Sequence, residues 1–169
     1  MKYSITQYGS PLNKSLYTLD EKTKTFSSKE NNLVLDFGSE SNCTFKTGSD
    51  CTFNTGAYCT FNTSYNCTFK TGAYCTFNTH SDCTFDTGSG CTFNTGSGCT
   101  FNTSYSCTFT TKSKCVVVRK DIYEVIELKE GIKTTLNGYE IKGYTEEENL
   151  KGKTVTVEVG GKKYEAIIK

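Results

Sequence analysis

Hydrophobic and polar positions alternate along the middle of the chain, and the alternation restarts every eight residues. From Cys43 onward, each unit has the form Cys-Thr-Phe-X-Thr followed by three further residues, where X is polar and the last three are mostly small or polar. With a period of two, Cys, Phe and the second Thr point to one side of a strand, whereas the first Thr and X point to the other. Each unit is therefore predicted to be a five-residue strand followed by a three-residue turn.

The side chains on the hydrophobic side form the predicted solenoid core. The pattern continues past both ends in weaker form, because Leu35 takes the Cys place, Phe37 takes the Phe place, and a run of valines follows the last cysteine. Such degenerate units are expected where a repetitive stack must end and be covered. The core residues of the full units are Cys43, Phe45, Cys51, Phe53, Cys59, Phe61, Cys67, Phe69, Cys75, Phe77, Cys83, Phe85, Cys91, Phe93, Cys99, Phe101, Cys107, Phe109 and Cys115.

One unit cannot close a coil, because one strand and one turn reverse the chain only once. Two units form the smallest closed coil, with two strands back to back, and a triangular prism of three units is the alternative. Tyr58 and Tyr74 hold the same place sixteen residues apart, so a two-unit coil would stack them. We therefore predict an all-β fold, a short parallel β-solenoid with two eight-residue units per coil and a length of about 25 Å at a strand spacing of ~4.8 Å.

The chain divides into three segments by composition. Residues 1–34 are polar and are predicted to form an N-terminal arm or cap, because the open end of a β-stack is an exposed edge. Residues 35–119 are the predicted solenoid. Residues 120–169 contain neither Cys nor Phe and are predicted to form a small C-terminal antiparallel β module.

Two hairpins are expected in the C-terminal module. Asn137-Gly138 is a typical two-residue hairpin turn and is predicted to lead into a strand at Tyr139–Tyr144. The glutamate-rich stretch from Thr145 to Lys151 is predicted to be a loop or a single helical turn. Gly160-Gly161 separates two further β-prone segments and predicts the second hairpin.

The ten cysteines are interpreted first as small buried hydrophobes beside the Phe columns. A disulfide framework is one alternative, because the count is even and the strand spacing permits bridges between rungs. Metal binding is another, although zinc ligands usually come in pairs two to four residues apart. The even spacing along the chain favours packing, and the residues alone leave all three interpretations open.

The outward positions predict two flat faces. Thr in the second place and X in the fourth lie about 6.7 Å apart along a strand and recur every ~4.8 Å up the rod. Lys46, Lys70 and Asp86 interrupt the grid, and the last two lie on the opposite face. The grid resembles, in geometry, the threonine arrays of insect-type ice-binding solenoids, which carry Thr in both places. The candidate binding face consists of Thr60, Asn62, Thr76, Asn78, Thr92, Asn94, Thr108 and Thr110.

Composition and charge argue against several function classes. Nineteen basic and eighteen acidic residues leave a net charge of +1, so we expect no nucleic-acid or membrane partner. No stretch approaches the ~20 apolar residues of a membrane span, and no signal peptide is evident, so the cytoplasm or a virion is the expected location. The only histidine, His80, lies in a predicted turn, and Asp50, Asp82 and Asp86 are spaced so that they form no pair of carboxylates. We expect no enzyme activity, no catalytic or metal-binding residue and no cofactor.

The tandem Cys-Thr-Phe-X-Thr-Gly-X-X pattern from Leu35 to Arg119 resembles octapeptide-repeat proteins encoded by large DNA viruses and bacteriophages. Most of those proteins have no assigned activity, so the resemblance implies a β-solenoid and a viral setting but no mechanism. We expect a non-enzymatic structural or interaction protein whose partner is another protein or a second copy, with a homodimer as one form. The alternatives are a ligand, glycan or ice and crystal-surface binder that uses the Thr-x-Asn arrays, and a thiol-rich redox or soft-metal protein.

Overall fold

The computed structural model describes residues 1–147 and 154–167 as an all-β fold with a 3-10 turn at Lys14–Leu16. Most strands of the repeat span only Thr, Phe and X, and the flanking Cys and Thr lie at the corners of the coil. The strands of the described residues are β1 (Ser4–Gln7), β2 (Ser10–Pro11), β3 (Tyr17–Asp20), β4 (Thr25–Ser28), β5 (Leu33–Asp36), β6 (Thr44–Lys46), β7 (Thr52–Asn54), β8 (Thr60–Asn62), β9 (Thr68–Lys70), β10 (Thr76–Asn78), β11 (Thr84–Asp86), β12 (Thr92–Asn94), β13 (Thr100–Thr103), β14 (Thr108–Thr110), β15 (Cys115–Arg119), β16 (Glu124–Leu128), β17 (Lys133–Leu136), β18 (Tyr144–Glu147), β19 (Thr154–Val159) and β20 (Lys162–Ile167).

Successive units of the repeat alternate between two nine-stranded sheets that lie back to back. Sheet A has the order β16-β15-β13-β11-β9-β7-β5-β1-β2, and sheet B has the order β18-β17-β14-β12-β10-β8-β6-β4-β3. Phe77 pairs with Phe61 on one side and with Phe93 on the other, so equivalent positions stack every sixteen residues. The predicted coil of two units is confirmed, and the three-unit prism is wrong.

The phenylalanines form two columns inside the coil. Within a column the rings are nearly parallel, with centroids 4.8 Å apart for Phe69 and Phe85 and 4.9 Å apart for Phe77 and Phe93. Rings of opposite columns meet edge to face, as Phe77 and Phe85 do at 5.0 Å. Such aromatic pairs add ~0.5–1.5 kcal/mol each to the free energy gained by apolar burial. The nine phenylalanines of the full units are at most 1% exposed, so these columns are the interior of the rod.

The cysteines line the narrow edges of the coil, where each thiol meets the backbone of a neighbouring coil. The amide of Cys75 donates to Sγ of Cys91 at 3.4 Å, and three other cysteines make the same contact. The Cys75 thiol donates in turn to the carbonyl oxygens of Ala73 at 3.6 Å and Gly56 at 3.7 Å. A buried amide without a partner costs about 1–3 kcal/mol. Cysteine therefore fills the corner and also accepts a hydrogen bond there, which an aliphatic side chain cannot do.

Each three-residue turn of the repeat ends on a residue in the left-handed region of backbone conformation. Asn, Asp and Gly tolerate this region best, and they hold six of the ten positions. The exceptions include Tyr58 and Tyr74, whose rings stack with centroids 5.1 Å apart, as their spacing predicted. The ten positions, with φ between 55° and 70°, are Asn42, Asp50, Tyr58, Asn66, Tyr74, Asp82, Gly90, Gly98, Ser106 and Lys114.

The first coil is formed by β4, which lies in the predicted N-terminal arm, and by β5, which crosses the predicted boundary at residue 35. β4 pairs in parallel with β6, which places Phe26 opposite Phe45. β5 pairs in parallel with β7, which places Leu35 opposite Phe53. β1, β2 and β3 cover the lower edges of the two sheets in antiparallel pairing. The parallel ladder therefore starts at β4, and the strands before it form the lower cap.

The predicted register at this lower end is wrong. Leu35 lies in the Phe place rather than the Cys place, so Phe37 takes the position of the inner Thr. There the Phe37 ring stacks on Tyr3 at 5.3 Å and meets Phe45 edge-on at 4.9 Å. A large ring closes the bottom of the core, where a threonine would leave it open. The first coils are longer than sixteen residues, so counting back from Cys43 in steps of eight shifts the register by two.

Antiparallel strands cover the upper end of the rod. β16 pairs with β15 in sheet A, β17 pairs with β14 in sheet B, and β18 adds to β17. β19 and β20 pair around Gly160-Gly161, so the second predicted hairpin is confirmed. The first is wrong, because β17 and β18 are joined by the loop 137–143 and Tyr144–Glu147 is a strand. The remainder of the predicted loop, residues 148–151, lies outside the described residues.

The loop 137–143 folds around a buried cation instead of forming a tight turn. Arg119 is 0% exposed and stands opposite Thr103, in the place of the inner Thr. Its guanidinium donates to Oδ2 of Asp121 at 2.6 Å and to the carbonyl oxygens of Ile141 at 2.7 Å and Gly138 at 3.2 Å. Burial by itself would raise the pKa of Asp121, but the hydrogen bonds from Arg119 hold that pKa below its usual value. A buried charge without partners costs several kcal/mol, so the carbonyl groups of the loop converge on Arg119.

The buried columns predict that the native protein protects its thiols. All ten cysteines are free of disulfide bonds and at most 2% exposed, and burial raises the pKa of Cys43. A bulky aromatic disulfide reagent attacks accessible thiolates, so we expect almost no reaction with the native chain and ten reactive thiols after unfolding in guanidinium. Rapid reaction of several thiols in the native state would contradict this packing and would favour a redox or metal-storage role.

Candidate binding face

The outward side of sheet B is a flat surface that we call the Thr/Asn face, defined by the outward residues of β6, β8, β10, β12 and β14. In each of these strands a buried Phe separates two outward side chains, so both stay on the outer surface. The structure places all eight candidate residues on four adjacent strands. The pairs are Thr60 and Asn62 in β8, Thr76 and Asn78 in β10, Thr92 and Asn94 in β12, and Thr108 and Thr110 in β14.

One column of sheet B is threonine on eight adjacent strands. The column begins below the Thr/Asn face on β4 and continues above it onto the antiparallel strands of the upper cap. The hydroxyl oxygens of Thr108 and Thr135 lie 3.2 Å apart, which joins the repeat to that cap. From bottom to top, the paired residues are Thr25, Thr44, Thr60, Thr76, Thr92, Thr108, Thr135 and Thr145.

Half of this column is absent from the sequence prediction. Thr44 shares its unit with the charged Lys46 and is not among the candidate residues. The dipeptide Thr25-Phe26 matches the Thr-Phe of the repeat and could have revealed the first rung. Thr135 and Thr145 enter through antiparallel pairing, which the eight-residue period does not encode.

The second column of the Thr/Asn face carries amides in its middle and a charge at its lower end. From β6 to β14 it runs Lys46, Asn62, Asn78, Asn94 and Thr110. Nδ2 of Asn78 donates to Oδ1 of Asn62 at 3.2 Å. A carboxamide has two donor hydrogens and an acceptor oxygen, so a ladder of this kind leaves further groups facing outward. The four strands above Lys46 therefore present an uncharged surface of donors and acceptors.

The outward side of sheet A differs because charged residues stand among its polar groups. Lys70 and Asp86 lie on neighbouring strands. Oδ1 of Asp86 accepts from Nζ of Lys120 at 2.8 Å and from Nδ2 of Asn102 at 3.3 Å. This mixture of charges and internal hydrogen bonds leaves fewer free groups, so the Thr/Asn face is the stronger candidate for binding.

The described residues offer little for catalysis or metal binding. No group of three or more His, Cys, Asp and Glu side chains among them could hold a metal ion. The thiols are the strongest potential nucleophiles, but they are buried, and contact with neighbouring thiols together with burial raises the pKa of Cys83. The burial of all ten cysteines also counts against a thiol-based function. The arrangement provides a hydrogen-bonding surface and no evident reaction centre in the described part of the chain.

Comparisons with known proteins found no match to this chain among protein-family models, curated proteins or solved structures. Within residues 1–147 and 154–167, no helix has the length and apolar character needed to cross a membrane.

Proposed function

We propose that this chain is a non-enzymatic structural and interaction module, a rigid β-solenoid that contacts its partner through the Thr/Asn face. The observation that carries the proposal is the unbroken register of eight threonines beside uncharged amides. Stacked rings beneath the sheet and backbone ladders within it hold these side chains in place. Because β-branched threonine has few rotamers, little side-chain freedom remains to be lost on binding.

The size of the face limits its affinity. The five strands of the face, at a spacing of ~4.8 Å and a width of ~10 Å, give about 240 Å². A stable protein interface buries ~800 Å² on each partner, so one rod binds weakly through this face. Firm attachment then requires several rods acting together or a partner that repeats its own surface.

A second copy of the chain is the partner that the chemistry of the face fits best. Hydroxyl and carboxamide groups both donate and accept hydrogen bonds, so two such faces are complementary in a twofold symmetric pair. Weak pairing of many copies suits an assembly built from repeated subunits. The viral setting implied by the repeat resemblance is part of this proposal, since a virion provides such an assembly.

Matched charge substitutions on the two faces test the proposed contact. Thr76→Lys combined with Thr92→Lys places like charges in the middle of the Thr/Asn face, and Thr84→Lys combined with Thr100→Lys makes the same change on sheet A. All four threonines point outward from their strands, so both variants should keep the wild-type unfolding temperature within a few degrees. Like charges across a contact cost several kcal/mol.

We expect sedimentation velocity to show weak self-association of the wild type between micromolar and millimolar concentration. The sheet B variant should lower the association constant at least ~10-fold, and the sheet A variant should leave it unchanged. A wild type that stays monomeric at millimolar concentration, or equal association of the two variants, would contradict the proposal.

Binding to ice or another crystal surface is a second candidate function, which the long threonine column favours. The outward groups repeat every ~4.8 Å along the rod and about 6.7 Å across it. The surface of a crystal also repeats in two dimensions, so such a grid can contact many lattice positions at once. The arrays that this face resembles carry threonine in both columns, whereas the second column here carries asparagine on three strands.

Completing the array tests the crystal-surface candidate. Replacing Asn62, Asn78 and Asn94 by Thr should increase thermal hysteresis several-fold over the wild type if the face binds ice, because hydroxyls then occupy both columns. Asn54→Thr with Asn102→Thr on sheet A is the matched control and should change nothing. Unshaped, normally growing ice crystals with both the wild type and the triple variant would rule this function out.

A further inference from the structure

A groove runs along one corner of the rod, between the Thr/Asn face and the turns that lead from sheet B to sheet A. The groove is open to solvent and has a volume of about 420 Å³, which is within the range of small-ligand sites. Its lining combines polar and apolar surface and includes one aromatic pair and one lysine. The residues used here are Tyr65, Asn78, His80, Asn94, Gly96 and Lys112.

One wall of the groove is a column of turn residues, one from each coil. Backbone hydrogen bonds join His80 to Gly96 at 3.2 Å and Gly96 to Lys112 at 3.4 Å. The Tyr65 ring packs against the imidazole of His80 with centroids 4.7 Å apart. Gly96 has no side chain, and the next side chain in the column is that of Lys112. The aromatic pair therefore lies two rungs below the cation of Lys112, with the backbone of Gly96 between them.

His80 and Lys112 occupy a turn place to which glycine is better suited. Gly72 occupies the equivalent turn place at the opposite corner of the coil. A Cβ added to Gly72 would lie 2.8 Å from the amide nitrogen of Ala57 in the preceding coil. The backbone hydrogen bond made by the residue in this place is 3.4 Å long for His80 and Lys112, against 3.2 Å for Gly72 and Gly88. Both side chains are exposed. They add nothing to the core, and both line the groove, so they are the groups there that a ligand can contact.

We propose that this groove binds one anionic sugar residue, a carboxylated pyranose such as a hexuronate. The apolar face of the sugar ring stacks on the open side of His80 at the level of Gly96, one rung or ~4.8 Å above. The carboxylate pairs with Nζ of Lys112 in a charge-assisted hydrogen bond. The ring hydroxyls exchange hydrogen bonds with the amides of Asn78 and Asn94.

The lining favours an acidic sugar over two related ligand classes. A neutral sugar leaves the cation at Lys112 unused. An aromatic anion has no hydroxyls to bond the amides of Asn78 and Asn94. It would stack on an aromatic ring on one side only, so its second face would stay in water. His80 and Lys112 lie on turns outside the Thr/Asn face, so a substitution at Lys112 leaves that face intact, whereas Asn78 and Asn94 belong to both surfaces.

The single histidine provides a direct readout, since His80 is the only source of imidazole resonances in the chain. We would titrate the full chain with trigalacturonate at fixed pH and ionic strength and follow the Cε1 proton of His80 by NMR. We expect a saturable shift. Lys112→Ser should weaken the affinity at least ~10-fold through loss of the charge-assisted bond, and serine fits this turn place because Ser64 holds it in another coil. Lys70→Ser removes an exposed lysine from sheet A and should keep the wild-type affinity.

Comparison ligands identify the bound group. Galactotriose, which lacks the carboxylate, should bind at least ~10-fold more weakly, and sodium acetate and phosphate should give no saturable shift. Equal binding of these simple anions would show a general anion site and overturn the sugar assignment. The proposal also fails if trigalacturonate gives no saturable shift, or if Lys112→Ser and Lys70→Ser bind equally well. None of these outcomes changes the self-association expected from the Thr/Asn face.

Discussion

The interlocking phenylalanine columns are the interaction on which the rest of the molecule depends. A strand of three residues buries too little surface to be stable alone, so each ring gains its contacts from the rings above, below and across the coil. Burial of one such side chain contributes ~1.5–3 kcal/mol, and the contribution recurs in every unit. This packing fixes the strands in register. The same register aligns the threonines and asparagines on the outside, so the order of the binding face follows from the order of the core.

The repeat could be predicted from the sequence, and its ends could not. Alternation with a period of two inside a period of eight determines the coil, its interior and its two faces, because every neighbour of a repeat strand is another copy of the same unit. At the lower end the coils are longer, and Leu35 falls in a different place from the one that counting indicates. At the upper end the turn preference of Asn137-Gly138 is overridden by the buried charge of Arg119, which draws the loop carbonyl groups together. Contacts of this kind join residues far apart in sequence and leave no local pattern.

Within the full units from Cys43 to Lys114, the departures from the repeat change the surface and leave the Cys and Phe positions of the interior uniform. Lys70 and Asp86 give sheet A its charges, Tyr58 and Tyr74 place stacked rings at one corner, and His80 opens the groove at the other. In a stack whose core tolerates little variation, sites of function are expected where local preferences are violated on the outside. The Thr/Asn face and the groove share Asn78 and Asn94. One side of the rod therefore carries both proposed contacts.

Disulfide trapping on the outer surface tests most directly the claim that inward rings set a sixteen-residue register. Thr60→Cys with Thr76→Cys places two outward-facing cysteines on adjacent strands of one face, at a spacing that a disulfide bond can span. The pair Thr60→Cys with Thr84→Cys would be adjacent only in a three-unit coil, and in the observed fold its members lie on opposite sheets. After mild oxidation and peptide mapping, the account predicts an intramolecular bond between positions 60 and 76 and none between positions 60 and 84. A bond between positions 60 and 84, or no bond in either variant, would contradict it.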